Sequence, residues 1–338
     1  MRFTKRGRLI VLILIILGSI FTAGYLMNSA SPSNGQTTYQ HARHPPIEVY
    51  HAIDLTRVDA GKGCACVVSG TGSSTDPYVI AGWDIDASEN DGIIIESVEY
   101  FTISQVTISG TRLHSAIRLV GVQNAKVSDS LINGTFAAIS VYMSSGLVVV
   151  DNLVSNTEYG IMLEASISNI VARNTLRDVD QISIFVRGSD NVVEDNLLDG
   201  AYGGINVDGT RGAADRNIVT NNTISRAETY GIGLWMADRN TVSSNSITNG
   251  RDVGIYVSDS STNNVIERNE VKNNAGDGVL IDAGSSDNVV QKNTVIGNGN
   301  GINTLIFTPN LQAMSGPTIP LSREVLRRLN EDSRAMSP

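Results

Sequence analysis

Two columns of residues that return about every twenty-three positions, with prolines kept out of the stretch they cover, predict an all-β chain. It is expected to be wound as a parallel β-helix of about ten coils. The first column is the aliphatic residue that opens each "GI-x-V" phrase: Ile93, Ile117, Ile139, Ile161, Ile184, Ile205, Ile232, Ile255, Val279 and Ile302. Subtracting neighbouring positions gives steps of 24, 22, 22, 23, 21, 27, 23, 24 and 23. The second column is Asp129, Asn152, Asn174, Asn196, Asn222, Asn245, Asn269 and Asn293, with steps of 23, 22, 22, 26, 23, 24 and 24. Both columns lengthen between the same two repeats, as one stacked unit with a single insertion requires. Inside each phrase apolar residues stand two apart, as in Ile161 and Leu163 or Ile255 and Val257. A period of two puts them on one face of a strand. The intervening phrases "NVV", "NTV", "NSI" and "NEV" are too short for helices. All eight prolines fall outside residues 78–308, where a continuous ladder needs every N–H.

Ahead of the repeats, Arg2, Lys5, Arg6 and Arg8 precede the uncharged run Leu9–Met27. Its nineteen residues roughly match a 30 Å hydrocarbon core at about 1.5 Å each. Residues 1–28 are therefore expected to be a membrane anchor, with the basic flank held inside and the rest of the chain exported. A cleaved export signal is the alternative, since Thr22, Ala23 and Gly24 are small. Residues 29–52 read as an extracytoplasmic linker, 53–310 as the β-helix, and 311–338 as a cap or tail. In that tail Leu321, Val325, Leu326 and Leu329 lie at helical spacing, with Ser322 as a candidate N-cap. The segment "TGSSTDPYVIAGWDIDAS" (71–88) is expected to form the first partial coil, with Trp83 over the core.

Within the coils, the asparagine column is expected to serve tight turns and to stack its amides from coil to coil as a ladder. Glycine before the aliphatic residue, as at Gly160, Gly204, Gly254 and Gly278, permits the turn into the strand.

Residues 1–30 hold four of the 25 basic residues and none of the 34 acidic ones, leaving 21 − 34 = −13 for the remainder. Such a surface repels phosphate backbones, so nucleic acid is not an expected partner. Cys64 and Cys66 are too few for a disulfide-stapled fold. With His41 and His44 they are weak candidates for a metal site; a turn near the start of the domain accounts for them more readily, and a local bridge is the further alternative.

The stretch "SGTGSSTDPYVIAGWDIDASENDGIIIESVEYFTI", followed by N-x-[IV]-x-x-N-x-[IVL] and GI-x-V coils, resembles the NosD-like β-helix proteins, especially exported archaeal members. The resemblance covers about residues 60–305 and implies a right-handed parallel β-helix. It also implies a group that includes carbohydrate-binding proteins, sugar hydrolases, lyases and epimerases, with a name-giving branch linked to copper delivery. Neither the paired-Asp and Arg-x-Lys pattern of polygalacturonases nor the Asp-Pro-His-Asp of alginate epimerases is present, which favours binding over catalysis.

On the "GI-x-V" sheet, two outward columns carry the candidate ligand-binding residues: Tyr142, Glu164, Phe185, Arg187, Asp208, Trp235 and Tyr256. Aromatic faces stack on sugar C–H groups, and carboxylates and a guanidinium bond hydroxyl pairs. Glu164, Arg187 and Asp208 are also the only catalytic candidates, since two carboxylates two coils apart stand about 9.6 Å apart at the backbone. An ordinary solvated ion pair explains the same three residues. No cofactor is expected. The expected partner is a glycan or cell-envelope component, with purely structural or adhesive, polysaccharide-cleaving and copper-handling roles as alternatives.

Overall fold

The computed structural model describes residues 41–56 and 65–305, and among them each coil contributes three short strands joined by tight corners. Val148–Val150, Leu153–Ser155 and Tyr159–Glu164 make up one such coil. The next coil repeats it in parallel register, pairing Val149 with Val171, Val154 with Leu176, and Ile161 with Ile184. The result is a continuous β-solenoid of about ten turns. Its core is a column of inward Ile, Val and Leu that includes Ile117, Ile139, Ile161, Ile184 and Ile205, each without exposed surface.

The corners depend on left-handed backbone, and the residues adopting it are seldom glycine. Asp129, Asp151, Arg173, Asp195, Asn221, Ser244, Arg268 and Lys292 all have φ between 53° and 58°. Each immediately precedes a position of the asparagine column, so the column itself is one place beyond the left-handed residue. Asp129 therefore belongs to the corner. Ser130 takes the ladder position in its coil, its N–H donating to Asn152 Oδ1 at 3.1 Å.

Those asparagines point inward and are buried. Asn174 shows the pattern: its backbone N–H and its Nδ2 both donate to Asn196 Oδ1, at 2.9 and 3.0 Å. The same Nδ2 donates to the carbonyls of Val149 and Ala172. The series runs unbroken from Asn152 to Asn293. A second ladder, not separated from the first in the sequence, runs through Asn169, Asn191, Asn217, Asn240, Asn264 and Asn288 with the same bonds. A third begins with Asn274 donating to Asn298.

The N-terminal boundary differs from expectation. Residues 29–52 read as a linker, yet Ala42–His44 pairs with Trp83–Ile85, and Ile47–Val49 pairs with Ile93–Ile95. Ile47 and Val49 are buried in the core, so they form a coil ahead of residues 71–88. Pro45 and Pro46 sit at the corner between these strands, where no ladder N–H is needed. A single turn of helix, Ala52–Thr56, follows and buries Leu55. Trp83 packs half-buried against the core, its indole N–H donating to the Cys66 carbonyl at 2.8 Å. The proposed anchor (9–27), Cys64 and the cap (311–338) lie outside the described residues. Among the described residues no helix is long and apolar enough to cross a membrane.

The ladder makes a direct prediction. Asn196→Ala leaves the Asn174 N–H without its acceptor and the Val171 carbonyl without the Asn196 amide, at about 1–3 kcal/mol for each stranded group. Urea unfolding is expected to show a loss on the order of 3 kcal/mol. Thr223→Ala, on the solvent side of the neighbouring strand, is expected to cost far less, and equal losses would contradict a structural role for the amide.

Candidate functional site

The sheet built from the last strand of each coil carries its side chains on two faces, and the outward one holds the candidate site. Register fixes the neighbours: Tyr142 pairs with Glu164, Glu164 with Arg187, and Asp208 with Trp235. Met162 pairs with Phe185, Phe185 with Asn206, and Gly233 with Tyr256. Two strands here are unusually long, Thr175–Arg187 and Leu197–Asp208, because the corner before the sheet is drawn into continuous strand with a register shift between Val179 and Ile182.

Arg187 lies at the centre. Its Nη1 donates to Glu164 Oε2 at 3.1 Å and its Nη2 to Asp208 Oδ2 at 2.9 Å. The guanidinium carbon also stands 4.8 Å from the centre of the Phe185 ring, a cation–π contact. Burial alone would raise the Asp208 carboxyl. The Thr210 hydroxyl and N–H, then Arg187, outweigh it and hold the group below its ordinary value. The Thr210 N–H donates to Asp208 Oδ1 at 2.7 Å, a local turn that opens the inserted segment 208–217 at this carboxylate.

Around the bridge the outward side chains pack into a hydrophobic cluster separate from the interior core. Ile182, Phe185 and Tyr230 are its buried members, and Tyr159, Met162, Trp235 and Tyr256 pack half-buried against them. The Trp235 ring meets Tyr230 at 4.6 Å and Tyr256 at 5.8 Å, both edge to face. Two glycines make room for the rings. A Cβ on Gly203 would come within 2.6 Å of the Tyr230 ring, and one on Gly233 within 1.8 Å of the Trp235 ring. Burial pushes the Tyr230 phenol far above its usual value, with Tyr202 and Asp208 adding to it. Tyr256 is pushed up to about 12, burial again first. Its hydroxyl donates to Asp282 Oδ2 at 3.0 Å.

Six of the seven residues singled out from the sequence thus meet on one face. Tyr142 shares the register but is 46% exposed and stands outside the packed cluster. Tyr159, Ile182 and Tyr230 were missed. They form a third outward column, one residue before the glycine or serine that turns each coil into the sheet. That corner shifts the alternation by one place, so counting in twos from the aliphatic residue assigns these positions to the interior.

Of the metal candidates, Cys66, His41 and His44 lie among the described residues. Cys66 is buried and disulfide-bonded, so it offers no free thiolate. His41 Nδ1 lies 3.2 Å from the Thr107 hydroxyl, and the His44 ring packs on Trp83 at 4.8 Å. No group of three such ligands among the described residues is placed to hold a metal ion.

Comparison with known proteins supports the architecture. No curated protein sequence matches the chain. Among solved structures, the A-module of the Azotobacter vinelandii mannuronan C-5 epimerase AlgE6 is similar, with a TM-score of 0.52 and 13% identity, over 69% of this chain and 84% of that one. The catalytic domain of a GH87 α-1,3-glucanase in complex with nigerose is similar with a TM-score of 0.50 and 12% identity, over 84% of this chain and 70% of that one. At such identities the likeness is one of fold. The family model of a right-handed β-helix region matches residues 66–215 and again 209–305, so the chain belongs to the right-handed β-helix family.

Proposed function

We propose that this chain is an extracytoplasmic member of the family that binds carbohydrate on the outward face of the Tyr159–Glu164 sheet. The observation that carries the reading is the aromatic cluster of Tyr230, Trp235 and Tyr256 beside the Glu164–Arg187–Asp208 bridge. Rings that are packed in advance lose little freedom when a sugar stacks on them. The basic flank and apolar run of residues 2–27 support anchoring to a membrane, and the coil phrases support a place in the NosD-like branch. That two similar folds belong to a mannuronan epimerase and an α-1,3-glucanase is in keeping with a glycan partner.

Binding fits the geometry better than cleavage does. A general acid must hold its proton near neutral pH, and Asp208 is held ionised. Glu164 is tied to the same guanidinium. No histidine lies among the clustered residues.

A glycan array probed with the full chain is expected to show binding that Trp235→Ala reduces at least about tenfold, which corresponds to roughly 1.4 kcal/mol. An empty array with a correctly folded chain overturns the reading. The pH dependence follows from Asp208. Its folded value lies below the ordinary carboxylate value, so its stabilising contribution is fully present above about pH 4 and is lost as pH falls through the lower folded value. Affinity measured by calorimetry is therefore expected to stay level from about pH 5 to 8 and to fall only in acid. A step near neutrality would contradict the assignment.

A further inference from the structure

Beside the aromatic face, at the corner where coils enter that sheet, lies a cleft of about 650 Å³ that crosses four coils. Asp178, Asp180, Tyr202, Arg226, Glu228 and Arg251 give the cleft its chemistry. Tyr202 stands on the strand Leu197–Asp208, six positions before Asp208, or about 20 Å along extended backbone. One strand thus reaches from the cleft to the ion bridge. Tyr202 is 47% exposed, an uncovered ring at the edge of a packed aromatic group. The next residue, Gly203, pairs in register with Tyr230, and the Tyr202 carbonyl accepts from Thr229 N–H at 2.9 Å, which places Tyr202 beside that ring's strand.

We propose that this cleft is a second glycan subsite, continuous with the aromatic face through Tyr202, and that it takes sugar units bearing no acidic group. The inference rests on the carbohydrate reading of the face. The cleft's arginines are already occupied. Arg226 holds Asp199 with two bonds of 2.7 and 2.6 Å, and Arg251 donates to Glu228 at 3.2 Å. A uronate or sulfate entering here would have to displace one of these partners. It would also face Asp178 and the remaining carboxylates. Asp180 is paired with Arg112, which reaches it from outside the lining, whereas the exposed Asp178 carboxylate has Arg226 nearby but no described side chain hydrogen-bonded to it. A carboxylate with open acceptor positions beside an exposed ring suits hydroxyl or amino donors on a sugar whose C–H face stacks on Tyr202. Arg177, outside the lining, pairs in register with Asp199 and is engaged with that carboxylate. The net charge of −13 over residues 31–338, from 21 basic and 34 acidic residues, acts in the same sense.

The test is calorimetry on the full chain with cello-, laminari- and chito-oligosaccharides of increasing length, and with oligogalacturonates as the acidic series. Tyr202→Ala and Asp178→Asn are expected to weaken the longer non-acidic oligomers about tenfold, roughly 1.4 kcal/mol. The shortest binders, which fill the face alone, should be unchanged, whereas Trp235→Ala should weaken all lengths. Both cleft positions are on the surface, and unchanged thermal unfolding confirms that the variants fold. Long oligomers indifferent to both cleft substitutions would overturn the subsite while leaving the face intact. Oligogalacturonates bound through Tyr202 would overturn the charge class. A wild-type chain that binds no sugar would remove the face and the cleft together.

Discussion

Every coil of this protein is held by hydrogen bonds that it cannot make within itself. Backbone N–H groups find their acceptors one coil away, and the buried asparagine amides do the same inside the corners. A buried amide without a partner costs more than a paired one contributes, so the ladders punish any slip in register. This explains how the chain tolerates variation in repeat length. The insertion of residues 208–217 adds to the spacing, yet Asn191 still bonds Asn217 and Asn196 still bonds Asn222, each 26 positions apart. Extra residues leave at a corner as a loop, and both ladders resume beyond it.

With the interior committed to stacking, chemistry is left to the outward side chains, and the parallel register decides which of them meet. Identical positions on successive coils lie about 4.8 Å apart, so a repeated charge would repel its own copy. At several levels opposite signs follow one another instead, although Arg216 is followed by Arg239 and Arg268 by Lys292. Asp151 is followed by Arg173 and Asp190 by Arg216, each pair with two bonds, and Arg226 holds Asp199 with two more from one place beyond the register position. Exposed pairs of this kind contribute little each, and their main effect is to avoid repulsion along the rod. The Glu164–Arg187–Asp208 bridge differs because it is half-buried and carries an aromatic ring beneath its guanidinium.

The fold was legible in the sequence because a two-residue period with a regular return leaves few alternatives to stacked strands. Other features were hidden for physical reasons. The coil at Ala42–Val49 has strands of three residues around two prolines, too short to show alternation. One asparagine ladder stood out, and the other did not, because Asn191 and Asn196 occur five apart in the same phrase and read as one polar motif. The left-handed corners fall on Asp and Arg about as often as on Asn, and on Ser and Lys besides, so residue type alone could not place them. At the site, Arg187 with its two carboxylates followed from counting. Tyr159 and Tyr230 did not, because the corner before the sheet resets the count. Tyr202 was hidden for the same reason, standing where two long strands replace the usual corner.

That coincidence has a physical basis. The features that set this face apart fall where the repeat is least regular. The steps 23, 21 and 27 succeed one another between Ile161 and Ile232, and this stretch holds the long strands, the register shift and the inserted loop that begins at Asp208. A strictly regular coil presents the same small outward residues at every level and leaves a flat polar wall. Lengthened strands carry Tyr202 outward, and Gly203 and Gly233 give up their own side chains so that Tyr230 and Trp235 can lie across them. Each departure removes a little stacking regularity, and the ladders on either side make that loss tolerable. A recognition surface on a solenoid is therefore expected where intervals drift while the buried amide register is kept, as it is between Asn174 and Asn222.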